Sequence, residues 1–202
     1  MKRAILTMAD RPLVAVLAAG LGRRFAQGSA IGKLDAACAG QPLGQWALDG
    51  VAAAGLAPGV IITGPHPPAF AAASGWPLIT NPHPEAGLGG SVALAAAAAM
   101  AQGRSLLLLL ADMPLVPPAF LARLAAQTGA AATLYPGARA GVPALLPLAL
   151  LPEAARLNGE HGAGALLAGT SGLVLLEPAP GMLHDVDRAA DLAKVSALLR
   201  RG

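Results

Sequence analysis

Little of this sequence is charged. Asp, Glu, Lys and Arg make up 12% of its residues, about half the usual share. Aromatic residues are scarcer still, at 3%, so a core must be built from many small aliphatic side chains. With 55% hydrophobic residues, low charge favours collapse and excludes a disordered chain. The single cysteine, Cys38, excludes an intramolecular disulfide and fits a reducing cytoplasm. Long apolar runs are also missing: "SVALAAAAAM" and "SLLLLLA" are too short to cross a bilayer. The basic start is interrupted by Asp10, Arg11 and Pro12 before any adequate signal-like stretch. A soluble, cytoplasmic protein without a membrane partner is expected.

Other absences narrow the chemistry. His66, His83, His161 and His184 lack H-x-x-x-H or H-E-x-x-H spacing, which argues against zinc. No serine stands in a G-x-S-x-G setting, which argues against a hydrolase. The net charge is only +3 and the cations are scattered, so nucleic acid is not an expected partner. A polyanionic small molecule fits better.

Apolar runs alternate with helical stretches over the 202 residues, which suit one domain spanning 1–202 with its core at about 13–200. Strands are predicted at 13–18, 59–63, 76–80, 105–111, 131–135, 142–146 and 173–176. Helices are predicted at 42–55, 67–74, 91–103 (capped by Ser91 or Gly90), 118–127, 148–157, 162–168 and 188–200. This order implies an α/β fold: a three-layer α/β/α Rossmann-like sandwich on a mostly parallel sheet. Such sheets bind ligands at the carboxyl ends of their strands.

The stretch "LAAGLGRRFAQGSAIGK" (17–33) follows the first strand. Gly20 and Gly22 allow close backbone approach, and successive N–H groups there can form an anion nest. Arg23, Arg24 and Lys33 could neutralise a triphosphate, or could equally be solvated cations on a surface loop. The loop is neither a Walker loop nor G-x-G-x-x-G. In "LLLLLADMPLV" Asp112 ends a buried strand, where it either meets a cation such as Mg²⁺ or caps the following turn. In "LHDVDRAADL" Asp185 and Asp187 are expected on one side of a strand end, although Asp187 could instead cap the last helix. In "NPHPEAGLGGSVALAA" a glycine-rich turn with Ser91 precedes a helix and could orient a nucleoside, or be an ordinary capped turn.

Taken together, these stretches resemble the MobA-like nucleotidyltransferase family, which includes the enzymes that join a nucleotide to molybdopterin. The resemblance rests on Leu17-Ala18-Ala19-Gly20-Leu21-Gly22-Arg23-Arg24-Phe25 with Lys33 downstream, Asn81-Pro82 with Gly87-Leu88-Gly89-Gly90-Ser91, Ala111-Asp112-Met113-Pro114-Leu115-Val116, Gly141-Val142-Pro143, and Asp185-Val186-Asp187-Arg188-Ala189-Ala190-Asp191-Leu192. The motifs run in family order over roughly 13–192.

The resemblance implies a glycosyltransferase-A-type fold and metal-dependent nucleotidyl transfer from a nucleoside triphosphate. By carry-over, Lys33, Arg24 and Asp112 are catalytic, and Asp112 and Asp187 hold Mg²⁺, with Mn²⁺ as an alternative. Leu17, Ala18, Ala19, Gly20, Gly22, Arg24, Lys33, Gly87, Ser91 and Asp112 contact the nucleotide. The motif variants resemble the molybdenum cofactor cytidylyltransferase branch, which makes CTP the first choice of donor and GTP the second. The acceptor is a phosphorylated small molecule such as molybdopterin, and a molybdoenzyme or chaperone is a further expected partner. A sugar or alditol phosphate as acceptor, and a non-catalytic nucleotide- or molybdopterin-binding protein, are the alternatives. The chain departs from the pattern in the longer spacing between Arg24 and Lys33, in Gly89 and Gly90 where serines are usual, and in Gly164 where the family carries arginine.

Overall fold

The computed structural model describes residues 11–22, 25 and 32–200. Its centre is a seven-stranded sheet of order β5-β4-β1-β6-β8-β7-β9. The strands are β1 (Leu13–Ala18), β4 (Val60–Thr63), β5 (Leu78–Thr80), β6 (Leu106–Leu110), β7 (Ala131–Tyr135), β8 (Arg139–Leu146) and β9 (Val174–Leu176). A two-residue hairpin, β2 (Ala37–Cys38) with β3 (Gln41–Pro42), stands apart. β1 pairs in parallel with β4 and β6, β4 with β5, and β7 with β9. β8 runs antiparallel to both its neighbours. The sheet is thus mostly parallel, as the alternating pattern implies.

The continuous apolar runs are strands buried on both faces. Along β1, Val14, Val16 and Ala18 enter one core while Leu13, Ala15 and Leu17 enter the other. In β6, Leu107 and Leu109 face the first core, and Leu106 and Leu108 the second. On the first face lie α1 (Gln45–Ala53), α2 (Ala69–Ala73), α4 (Pro118–Ala125) and α7 (Ala189–Leu199). On the second lie α3 (Leu88–Ala101), α5 (Leu151–Ala154) and α6 (Ala163–Ala168). The alanines of α3 let it lie close to the sheet: Ala95, Ala96 and Ala99 are fully buried. Truncating a fully buried leucine such as Leu107 to alanine costs about 2–5 kcal/mol.

The chain builds β1, β4 and β5 outward, then returns to lay β6 on the other side of β1. The switch point therefore lies between the carboxyl ends of β1 and β6, where open α/β sheets take their ligands.

Three local expectations are corrected. The third helix begins at Leu88 with Gly87 as its N-cap, three residues before Ser91. It starts early because Gly89 N–H donates to the Gly159 carbonyl at 2.9 Å, a partner far away in sequence. Residues 184–187 form a loop rather than a strand end. Nor does Asp187 cap the last helix: Arg188 is the N-cap, and the Asp191 carboxylate accepts the Arg188 N–H at 2.8 Å and the Asp187 N–H at 3.2 Å. The Asp187 side chain is thereby left for other partners.

Candidate active site

At the switch point one cation meets two carboxylates. Lys33 Nζ lies 2.5 Å from Asp112 Oδ2 and 3.9 Å from Asp187 Oδ1. Asp112 stands two residues past the end of β6, and its backbone carbonyl accepts the Val186 N–H at 3.2 Å. That bond ties the 184–187 loop to the end of β6 and brings Asp187 to the site. The Lys33 side chain is 11% exposed, Asp112 21% and Asp187 42%, so the group opens toward solvent on the Asp187 side. Asp185 stands beside them, and burial, with Asp187 and Asp112 adding negative charge, raises its carboxyl above the usual range against the pull of Lys33.

Lys33 is held from downstream. It opens a short 3-10 turn, Lys33–Asp35, whose next residue, Leu34, is buried. The Leu34 carbonyl accepts Gly44 N–H at 2.9 Å, and the Ala36 carbonyl accepts Leu43 N–H at 2.9 Å. Asp35 then accepts the N–H groups of Ala69 and Phe70 at 2.8 and 2.9 Å, capping α2 from across the fold. Gly22, at φ +56°, lies against Lys33, where an added Cβ would stand 3.3 Å from the Lys33 Cβ. Lys33 reaches Asp112 despite the long spacing because its own turn is anchored through Leu34, Asp35 and Ala36.

Two cavities flank this group and share Leu21, Gly22, Lys33 and Pro84. One, of about 300 Å³, is lined by Ala18–Gly22, by Gly32–Asp35 and by Gly64–Pro68. The other, of about 350 Å³, adds Glu85, Gly87, Glu160 and Asp187. Among the described residues, no histidine lines the second.

Of the residues singled out from sequence, Ala18, Ala19, Gly20, Gly22, Gly87, Lys33, Asp112 and Asp187 come together here. Leu17 is 6% exposed, and its carbonyl accepts the Ala111 N–H at 3.1 Å, which ties the ends of β1 and β6 together. Ser91 is 3% exposed, and its hydroxyl accepts from the Asn81 side chain at 3.0 Å. Ser91 thus braces the turn at Asn81. Arg24 lies outside the described residues, as does Arg23.

The departures at Gly89 and Gly164 have steric causes. A Cβ at 89 would fall 2.6 Å from the Asn158 backbone, and one at 164 would fall 2.7 Å from the Ala140 carbonyl oxygen. Asp35, Tyr135 and Arg139 were not singled out from sequence. Each lies outside the quoted motifs, and only the fold brings it near the site.

The donor set suits a hard divalent cation, since two carboxylates already converge on a single positive charge. Among the described residues no cluster of three or more His, Cys, Asp or Glu could hold a metal by itself. Any ion here would need ligands from a substrate or water as well.

Comparison with known proteins agrees with this geometry. Residues 14–174 match the MobA-like NTP transferase domain. The chain belongs to that family. Rv0371c from Mycobacterium tuberculosis H37Rv superposes with a TM-score of 0.78 at 24% identity, covering 95% of this chain and 100% of that one. A nucleotidyl transferase from Methanothermobacter thermautotroptrophicus, Mth528, gives 0.78 at 23%, covering 95% and 99%. A manganese complex of Rv0371c gives 0.69 at 22%, covering 93% and 98%. At these identities the likeness carries the fold. No curated protein matches the sequence. No helix among the described residues is long and apolar enough to cross a membrane.

Proposed function

We propose that this MobA-like NTP transferase moves a nucleoside monophosphate from a triphosphate, CTP before GTP, to a phosphorylated acceptor such as molybdopterin. The observation that carries the reading is the convergence of Lys33, Asp112 and Asp187 at the switch point, beside a glycine-rich strand end. In this reading the cavity lined by Ala18–Gly22 and Gly64–Pro68 takes the nucleoside end of the donor. Backbone N–H groups at Gly20–Gly22 face phosphate oxygens. Lys33, and Arg24 from the same loop, pair with phosphate charge.

An oxygen of the acceptor's phosphate attacks the α-phosphorus in line. The bond from that phosphorus to the bridging oxygen of pyrophosphate breaks, and pyrophosphate leaves with its electron pair. Asp112 and Asp187 would hold Mg²⁺ or Mn²⁺, which supplies Lewis-acid polarisation of phosphate oxygens when bound. A phosphate nucleophile is already ionised near neutral pH, so the step requires no general base. The absence of histidine from the lining of the Lys33–Asp187 cavity is consistent with that. Catalysis comes from positioning and from neutralising charge on the transferring group.

Thermal-shift titration with CTP, GTP, ATP and UTP, each with and without Mg²⁺, tests this reading, because a ligand of the native state raises apparent stability. A Mg²⁺-dependent shift with CTP above the others is expected. Preference for GTP would move the protein to the guanylyltransferase branch. No shift with any triphosphate would overturn the reading in favour of a binding protein.

A further inference from the structure

Lys33 holds the oxygen that the proposed metal pair would offer to its ion. Its Nζ lies 2.5 Å from Asp112 Oδ2 and 3.9 Å from Asp187 Oδ1. Among the described residues, it is the one side chain that donates to the Asp112 carboxylate. A Mg²⁺ ion shared by these carboxylates would sit about 2.0–2.1 Å from an oxygen of each. Bonded to Asp112 Oδ2 on the side facing Asp187, it would fall inside contact distance of the ammonium, and the two positive charges would repel. The Lys33 side chain is nearly buried, so salt and water screen that repulsion weakly.

The ammonium has a second place within reach. Lys33 lines both cavities of the site, as do Leu21 and Gly22. Its backbone is fixed by the bonds of Leu34, Asp35 and Ala36. Its four-carbon stem is free to rotate about several bonds. The stem starts against Gly22, where an added Cβ would stand 3.3 Å from the Lys33 Cβ. Rotation of the side chain alone therefore carries Nζ from the carboxylates toward the cavity lined by Ala18–Gly22. Phosphate oxygens there would replace the carboxylate as its charged partner.

We propose that Lys33 and the divalent cation compete for Asp112, so that the ion is admitted together with the triphosphate, which draws the ammonium away. The proposal rests on the transfer reading, because it needs an anionic donor beside Gly20–Gly22. It gives Lys33 two successive partners, a carboxylate and then a phosphate. In both arrangements Asp112 keeps a positive charge beside it, and its repulsion with Asp187 stays offset. Such coupling is reciprocal: the factor by which the triphosphate tightens the ion is the factor by which the ion tightens the triphosphate.

The test titrates the full-length protein with Mn²⁺ alone, without nucleotide or acceptor, and counts the free ion by its electron paramagnetic resonance. Lys33→Met keeps the length of the stem and loses the charge. Lys33→Gln is shorter and polar, so the result does not hang on one replacement, and Lys33→Arg keeps the charge. Lys33→Met and Lys33→Gln should bind Mn²⁺ about tenfold more tightly than the native chain, the scale of one charge-assisted bond no longer to be displaced. Lys33→Arg should bind it as weakly as the native chain. Lys33→Met combined with Asp112→Asn should lose the gain. Native affinity in both Lys33→Met and Lys33→Gln would mean that an ion binds beside the lysine, and overturns the proposal. A gain that survives Asp112→Asn also overturns it. The coupling is read from CTP affinity with and without Mn²⁺. The factor by which Mn²⁺ tightens CTP should be about tenfold larger in the native chain than in Lys33→Met. An equal factor in the two overturns the proposal. If the native protein binds no triphosphate, the transfer reading fails by itself, and the titration with Mn²⁺ alone still decides whether lysine and ion compete.

Discussion

The two flanks of Asp112 are made from different halves of one sheet. On the β1 side the strands are parallel, and their carboxyl ends present Ala18–Gly22 with Lys33 and Asp187 close by. On the β8 side the strands are antiparallel, and the space beyond them is walled mostly by apolar residues, with Tyr135 and Arg139 among them. The parallel half offers charge and a glycine-rich backbone, whereas the antiparallel half offers shape.

The sharpest way to break the comparison is to remove its pivot. Asp112→Ala takes away a carboxylate of the proposed metal pair and the partner of Lys33. Pyrophosphate release with CTP, Mg²⁺ and acceptor should fall by about a thousandfold or more, on the scale of losing a main electrostatic stabiliser of the transition state. Release that stays near native and Mg²⁺-dependent would move the chemistry away from this site. Lys33→Ala acts on the β1 flank alone. Calorimetric affinity for CTP should fall about tenfold, the scale of one lost charge-assisted bond. Unchanged affinity would mean that Lys33 serves only to neutralise the carboxylates.

Asp35→Ala separates the lysine's charge from its placement. Losing both bonds to the α2 N-terminus should cost about 1–2 kcal/mol, seen as a melting temperature lower by roughly 2–8 °C. CTP affinity should weaken along with it, because the turn that carries Lys33 is loosened. A lower melting temperature with native affinity would confine Asp35 to stability.

The legible parts of the fold were those with local signals. "LLLLL" and "LVAVLA" are strands because a run buried on both faces must be apolar at every position. The β2–β3 hairpin was not foreseen: two residues a side hold too little pattern. β8 begins at Arg139, three residues before its expected start, because "RAG" pairs with Tyr135 and Leu134 rather than signalling through its own composition. The start of α3 was misplaced for a related reason. The Gly89 N–H in its first turn finds the Gly159 carbonyl instead of a side-chain cap, and a partner so distant leaves no mark on the local sequence. Within the site, Asp112 was legible as a carboxylate closing an apolar strand. The reach of Lys33 was not, because it depends on Asp35, Leu34 and Gly44, which no motif flags.

The smallest effect probes how close the apolar flank lies to the acidic pivot. Tyr135 is the sole tyrosine of the chain. Burial first, then the charges of Asp185 and Asp112, push its phenol from 10.0 up to about 12. Tyrosinate absorbance therefore reads this one group, and its midpoint should lie well above the ordinary value. Because the folded value is raised, the stability linked to this group is complete below pH 10 and is lost as pH rises through about 12. Asp185→Asn removes one of the two negative neighbours and should lower the midpoint modestly, while Glu153→Gln, on α5 and absent from those causes, should leave it in place. A midpoint near 10 in the native protein would mean that the phenol is not buried against the sheet, and one insensitive to Asp185→Asn would separate the hairpin from that carboxylate electrostatically.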